Sequence, residues 1–301
     1  MIRSVTGDID TIDGRILAHE HLQVDLCAGK DAQVVLGKQD QEDVIHDLAE
    51  AMHHGLRGIV DLSVVGSGRD LPALAEMSRR LGLPIICATG FYWDPHSALV
   101  AQTSVEALRD TMIREVTEGV DGTGIRCGVI KIGTSSHDCT DAEERIFHAA
   151  GLASIATGAP VFTHTSEPTQ ALWHLEQLER AGADLTHVMI GHLGAAPDDS
   201  LLVEVARRGA FIGIDKIGLR HRTSNARLAT LVKSACDKGL EKYIILSSDI
   251  ARKDRLQRYG GHSYSTVFIE FVPLLKELGI TQAQLSVFLE ANPQRLLRFF
   301  Q

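Results

Sequence analysis

Missing from this chain are the features that most quickly assign a protein to a secreted, membrane or nucleic-acid-binding class. Its five cysteines, Cys27, Cys87, Cys127, Cys139 and Cys236, form no CxxC pair and are odd in number. A disulfide framework is therefore not expected, and scattered thiols suit a reducing compartment. The N-terminus, MIRSVTGDIDTIDGR, has no apolar run of the secretion-signal kind. No stretch approaches the roughly 20 apolar residues needed to cross a bilayer. Basic residues are in deficit, 30 Lys and Arg against 39 Asp and Glu for a net charge of −9, so nothing is left over to neutralise a phosphate backbone. Aromatic residues make up only 5% of the chain, too few to line a large apolar leaving-group pocket. A cytoplasmic protein acting on a small molecule is expected, with no nucleic-acid or membrane partner.

What is present is a regular alternation. Over 301 residues, 44% of them hydrophobic, short β-branched runs alternate with longer amphipathic segments. Strands are predicted at Arg15–His19, Gly58–Leu62, Pro84–Thr89, Gly128–Ile132, Pro160–His164, His187–His192, Ala210–Asp215 and Tyr243–Asp249. Helices are predicted at Gln41–His54, Leu71–Leu81, Val105–Gly119, Asp141–Gly158, Thr169–Gly182, Asp198–Arg208, Asn225–Lys238 and Thr266–Leu278. The strands lack polar alternation, as strands buried on both faces of a parallel sheet do. Several helices run into a Gly that leads to the next strand, the left-handed cap that reverses the chain. Eight such units in this length match a single α/β domain over residues 1–301, a (β/α)8 TIM barrel with an N-terminal hairpin over its bottom and a C-terminal packing helix. An open doubly wound sheet is the alternative, and helix count does not exclude it.

The strongest local signal is Ala-His-Glu-His-Leu at 18–22. Residues two apart on a strand share a face, so His19 and His21 can serve one metal ion. With 14 histidines in the chain, chance pairs of this kind are expected, and the placement of other residues decides the matter. His164 closes the fifth predicted strand, His192 the sixth and Asp249 the eighth, while Lys131 sits near the end of the fourth. Strand C-termini of such a barrel open onto one catalytic face, so six ligand-type groups converge from five strands. Lys131 is the unusual member. Burial removes the charge of a lysine, and the neutral amine can capture CO2 as an anionic carbamate. A lysine paired with an acidic neighbour is the competing reading.

His19-Glu20-His21, Lys131, His164 in THTSE, His192 in IGHLG and Asp249 in SSD together resemble the phosphotriesterase family of the amidohydrolase superfamily. The resemblance runs from GRILAHEHL to the closing ENPQRLL. It implies a (β/α)8 barrel holding two divalent ions, zinc first, with manganese, cobalt or iron alternatives. His19, His21 and Asp249 would hold the more buried ion and His164 and His192 the more exposed one. Lys131, as N6-carboxylysine formed with CO2, would bridge them. It also implies a homodimer.

Two such ions would activate a shared water and polarise the bond it attacks. Asp249 would carry the proton, directly or through a neighbouring His, while Glu20 points away and is structural. Substrate choice falls to the loops after strands seven and eight, which are cation-rich in an acidic protein. Lys216, Arg220, Arg252 and Tyr259 are candidate substrate contacts, and Arg252–Gly261 (RxxxxxxYGG) resembles the branch acting on phosphorylated sugar lactones. Phe91, Tyr92 and Trp93 would either wall the site or simply pack their loop. A lactonase for a small polar lactone is expected. A phosphoric ester hydrolase of the aryldialkylphosphatase type is the alternative, and a metal-retaining binding protein without turnover is the alternative of another class.

Overall fold

The structure, a computed structural model, describes residues 1–26, 35–92, 100, 102–135, 139–219 and 223–300. Cys27, Trp93 and Arg220 lie outside them. Hydrophobic runs pair in order, as predicted: β3 (Arg15–Glu20), β6 (Leu56–Asp61), β7 (Ile85–Phe91), β8 (Val129–Gly133), β9 (Val161–His164), β10 (Val188–Ile190), β11 (Phe211–Ile214) and β12 (Ile244–Leu246) form one eight-stranded sheet. Every ladder in it is parallel. The intervening segments form α1 (Gln41–His53), α2 (Leu71–Leu81), α3 (Val105–Thr117), α4 (Asp141–Thr157), α5 (Ala171–Arg180), α6 (Ser200–Arg207) and α7 (Asn225–Asp237). This is the (β/α)8 barrel, and the open doubly wound alternative is excluded by the closure described below.

Alternation along each strand divides the core in two. Val60, Ile86, Ala88, Val129, Phe162, Met189, Phe211 and Ile245 fill the barrel interior. Ile59, Ile85, Ile130, Ile132, Val161, Ile190, Ile212 and Ile244 face the helices. Caps sharpen the reversals: Thr140 and Glu143 form a capping box at the start of α4, and Gly158 ends it at φ 75°. A side chain at 158 would also drive its Cβ to within 1.9 Å of the Phe300 carbonyl oxygen.

The N-terminal hairpin, β1 (Ile2–Ser4) with β2 (Gly7–Ile9), is antiparallel. It docks on the barrel bottom through Val5 N–H to the Ile85 carbonyl at 2.8 Å. The chain's end meets it there, with Phe299 N–H donating to the Met1 carbonyl. The C-terminal region is α9 (Gln282–Ser286), a π-helical turn and α10 (Asn292–Leu297).

β3 and β12 are the two ends of the strand order and share no ladder among the described residues. Their seam is closed instead at the residues just beyond β12. Ser247 Oγ accepts from His19 N–H at 2.9 Å, and Asp249 N–H donates to the His19 carbonyl at 3.1 Å. The predicted strands six and eight are therefore too long at their C-terminal ends. β10 stops at Ile190 and β12 at Leu246, so His192 and Asp249 follow the strands rather than close them. Both adopt left-handed backbone, φ 65° and 50°, which ends a strand outright.

At the barrel's other end Asn292 donates to the carbonyls of Glu241 and Ile244 at 2.8 and 2.7 Å, and is fully buried. Asn292→Ala leaves both carbonyls without this donor and is expected to destabilise the metal-free protein by about 1–3 kcal/mol. A urea unfolding midpoint unchanged from wild type would contradict that role.

Candidate metal centre

Simple alternation would not point His19 inward. Ile16 and Ala18 already face the interior, so the strand's period of two sends residues 17 and 19 outward. The register resolves this: Leu17 pairs with Ile59 and Glu20 with Asp61, three steps on β3 against two on β6. That extra residue is a β-bulge, which re-aims the side chains that follow it. His19 and His21 thereby enter the barrel mouth. Lys131 enters by ordinary alternation with Val129, and His164 with Phe162.

All six predicted ligands meet. Lys131 Nζ is 3.4 Å from His19 Nε2. His21 Nε2 lies 3.5 Å from Asp249 Oδ1, and His19 Nε2 3.9 Å from the same oxygen. His192 Nε2 is 3.8 Å from Asp249 Oδ2 and 2.7 Å from His164 Nδ1. Every member is buried except Asp249, whose side chain keeps 14% exposure.

Asp215 was not among the predicted ligands, yet it organises two of them. Its Oδ1 accepts from both the backbone N–H and Nδ1 of His192, each at 2.8 Å. Its Oδ2 lies 2.6 Å from His19 Nδ1, close but off the line of a straight hydrogen bond. A carboxylate on Nδ1 fixes the proton there, so Nε2 of each ring presents its lone pair to the centre. His21 gains the equivalent from Ser63 Oγ, 2.8 Å from its Nδ1. The sequence clue to Asp215 was its place just past β11, beside a His on the next strand over. Two glycines make room: a Cβ on Gly191 would lie 3.1 Å from Asp215 Oδ2, and one on Gly213 2.9 Å.

Electrostatics follow from this burial. Desolvation drives His19 down to about 3, reinforced by Lys131 and only partly opposed by Asp215. Burial likewise lowers His164 and His192, so these rings are neutral at pH 7. Asp215 and Asp249 resist burial, because the surrounding histidines hold both below the usual carboxylate range. Desolvation lowers Lys131 to about 8 against the pull of Asp249 and Asp215.

A divalent cation suits this donor set. Lone pairs of neutral imidazoles converge with an ionised carboxylate, and His164 Nδ1 and His192 Nε2 face each other at hydrogen-bond distance. Lys131 is wholly buried and, among the described residues, has His19 as its one hydrogen-bond neighbour for a group that carries up to three N–H bonds. His19, His21 and Asp249 form one group whose ligand atoms could hold an ion, and His19, His192 and Asp215 another. The second is better read as an orienting carboxylate, since Asp215 spends both oxygens on ring Nδ1 atoms.

Around the centre, Tyr92 Oη lies 3.0 Å from His164 Nδ1. Lys216, the residue after Asp215, bears with its charge on His164 and His192. Arg252 pairs with Asp254 at 2.8 Å. Tyr259 is 46% exposed and lines a cavity of about 200 Å³ with Arg255, His262 and Glu270. Arg255, not singled out by sequence, reaches further in than Arg252 and is bound to backbone carbonyls near Asp249.

The sequence model of the phosphotriesterase family matches residues 1–297. The phosphotriesterase homology protein of Escherichia coli (strain K12) is 32% identical over 290 residues, covering 96% of this chain and 98% of the relative. A crystal structure of the phosphotriesterase homology protein from Escherichia coli, complexed with phosphate in the active site, superposes with a TM-score of 0.92 at 31% identity, covering 96% of this chain and all of the other. The lactonase Lmo2620 from Listeria monocytogenes superposes at 0.93 and 26% identity over 100% and 99% of the two chains. The N-acetyltaurine hydrolase of Danio rerio is 33% identical over 279 residues, 88% of this chain and 80% of the relative.

Asp215→Asn removes an acceptor while keeping volume. Its cobalt affinity, measured by competition with a chelator, is expected to fall 10–100-fold, and wild-type affinity would show that Asp215 orients nothing.

Proposed function

Because the chain belongs to the phosphotriesterase family, we propose that it is a hydrolase using two divalent ions to cleave a small, polar, anionic lactone. The observation that carries the reading is the convergence of His19, His21, Lys131, His164, His192 and Asp249 at one barrel mouth, with His19, His164 and His192 held neutral and Asp249 ionised. His19, His21 and Asp249 would hold one ion, His164 and His192 the other, and Lys131 as its carbamate would join them. The amine's burial and lowered basicity favour that addition, in which the C–N bond forms and one proton leaves. Bound there, the ions supply an activated water and an electrophile for the scissile carbonyl.

The chain's own residues then account for orientation and proton transfer. Asp249, ionised and partly open to the mouth, accepts a proton on a carboxylate oxygen and returns it to the leaving oxygen. Asp215 keeps the rings of His19 and His192 from turning. Lys216, half-buried and with its charge bearing on Lys131, His164 and His192, is the cation a substrate anion at the centre would meet, and Arg252 and Tyr259 on the following loop are further candidates. Tyr92 closes one wall and directs its hydroxyl at His164.

An anionic substrate group is supported by those cations and by two relatives. One holds phosphate in its active site, and another hydrolyses N-acetyltaurine, an anionic N-acyl compound. The lactone class is supported by the likeness to a lactonase over the whole chain. Phosphotriester cleavage is the second reading, and the shortage of aromatic residues disfavours it as the main activity.

Purified protein is expected to hold two divalent ions per chain, and Lys131→Ala to lose metal and nearly all activity. Fewer than two ions, with Lys131→Ala unchanged in both respects, would overturn the metal assignment. A screen of pentono-lactones with and without phosphate, an N-acyl aminosulfonate and an aryl phosphotriester decides the substrate. The phosphorylated lactone should be preferred, with Lys216→Ala or Arg252→Ala raising its KM about tenfold or more. Equal rates with and without the anion would refute the anion pocket.

A further inference from the structure

Glu20 lies between the two histidines of the HEH motif and is fully buried, facing away from the centre. Its side chain crosses the barrel seam. Oε1 accepts from Ser248 N–H at 2.6 Å and Oε2 from Ile250 N–H at 2.8 Å. These two amides flank Asp249, whose own N–H donates to the His19 carbonyl. On the other side Arg255 Nη1 donates to the carbonyls of Ser248 and Asp249 at 2.8 and 3.2 Å, and Nη2 to that of Ile217 at 2.9 Å. Three consecutive amides and two consecutive carbonyls are thus spoken for, and the residue at their middle has φ 50°.

We propose that Glu20 and Arg255 are positioning residues that together set the left-handed backbone of Asp249 and so aim its carboxylate into the centre before any ion binds. A non-glycine residue holds such a conformation only where its surroundings over-determine it. Strand-end ladders cannot do so here, because β12 ends at Leu246. Glu20 takes one neighbouring amide on each carboxyl oxygen, whereas a glutamine has a single acceptor oxygen and would set an N–H donor against the other amide. Arg255 matches because Nη1 spans the two adjacent carbonyls while Nη2 reaches that of Ile217 from the same rigid plane, a fork that lysine lacks. Both act through Asp249, so the inference rests on Asp249 being a ligand and proton carrier.

The test uses the full chain. In the unmodified metal-free protein the amides of Ser248, Asp249 and Ile250 should resist hydrogen exchange as strongly as those of β12. Exchange at the rate of an exposed loop overturns the proposal without any variant. Glu20→Gln and Arg255→Lys should then bind Co²⁺ 10–100-fold more weakly. Their cobalt absorption bands should shift, and kcat on the best lactone of the screen should fall at least tenfold with KM within twofold. Wild-type cobalt affinity and kcat in a folded variant, or a lowered Tm with both unchanged, assigns the pair to stability alone and overturns it. Asp249→Asn is run beside them. If it keeps metal and activity, the functional reading fails. If it loses them while Glu20→Gln and Arg255→Lys do not, only the present inference does.

Discussion

Near the end of β3 the chain fits three residues against two of its neighbour, and what the barrel mouth contains depends on how that surplus is absorbed. Without the bulge, alternation would bury Ala18 and Glu20 inside and turn His19 toward the helices. With it, two imidazoles enter the mouth and the intervening glutamate swings to the seam. One local irregularity therefore brings His19 and His21 to the centre and carries Glu20 across the closure of the sheet. A bulge beside an active centre is the usual place for one, because it re-aims side chains without disturbing the rest of the ladder.

Charge is the second constraint. Burying five nitrogen donors and two carboxylates costs free energy unless their charges are matched. The chain meets this by keeping His19, His164 and His192 neutral and holding negative charge on Asp215 and Asp249. Asp215 is spent on orientation, and Asp249 stays partly exposed. The difference between them is position: one lies under the rings, the other opens to solvent. Two carboxylates with such different surroundings take different parts, which identity of side chain alone would never separate.

Much of this was legible in the sequence. The strand and helix order and the left-handed glycine after α4 follow from hydrophobic period and cap chemistry, and strand-end geometry brings Lys131, His164, His192 and Asp249 to one mouth, whereas the inward turn of His19 and His21 does not follow from alternation. The shortfalls have one physical origin. Period reports which residues are buried, and it is silent on backbone twist. The bulge in β3 and the left-handed turns at His192 and Asp249 were invisible for that reason, so strands six and eight were drawn too long. Asp215 and Arg255 escaped because their partners are backbone groups and ring nitrogens on other strands. Such partnerships leave no spacing in the chain to read.

The seam between β3 and β12 also fixes an order of events. His19 and Ser247 are 228 residues apart, so their contact closes nearly the whole chain into a loop. A nascent or truncated chain ending before β12 would possess the centre's four histidines and Lys131 but no Asp249, and no clamp to hold its first strand. Contacts of such high sequence separation form late. Uptake of the proposed ions would therefore report that the last strand has docked, and binding them would stabilise only the completed barrel. The centre would then double as a staple between the beginning and the end of the polypeptide.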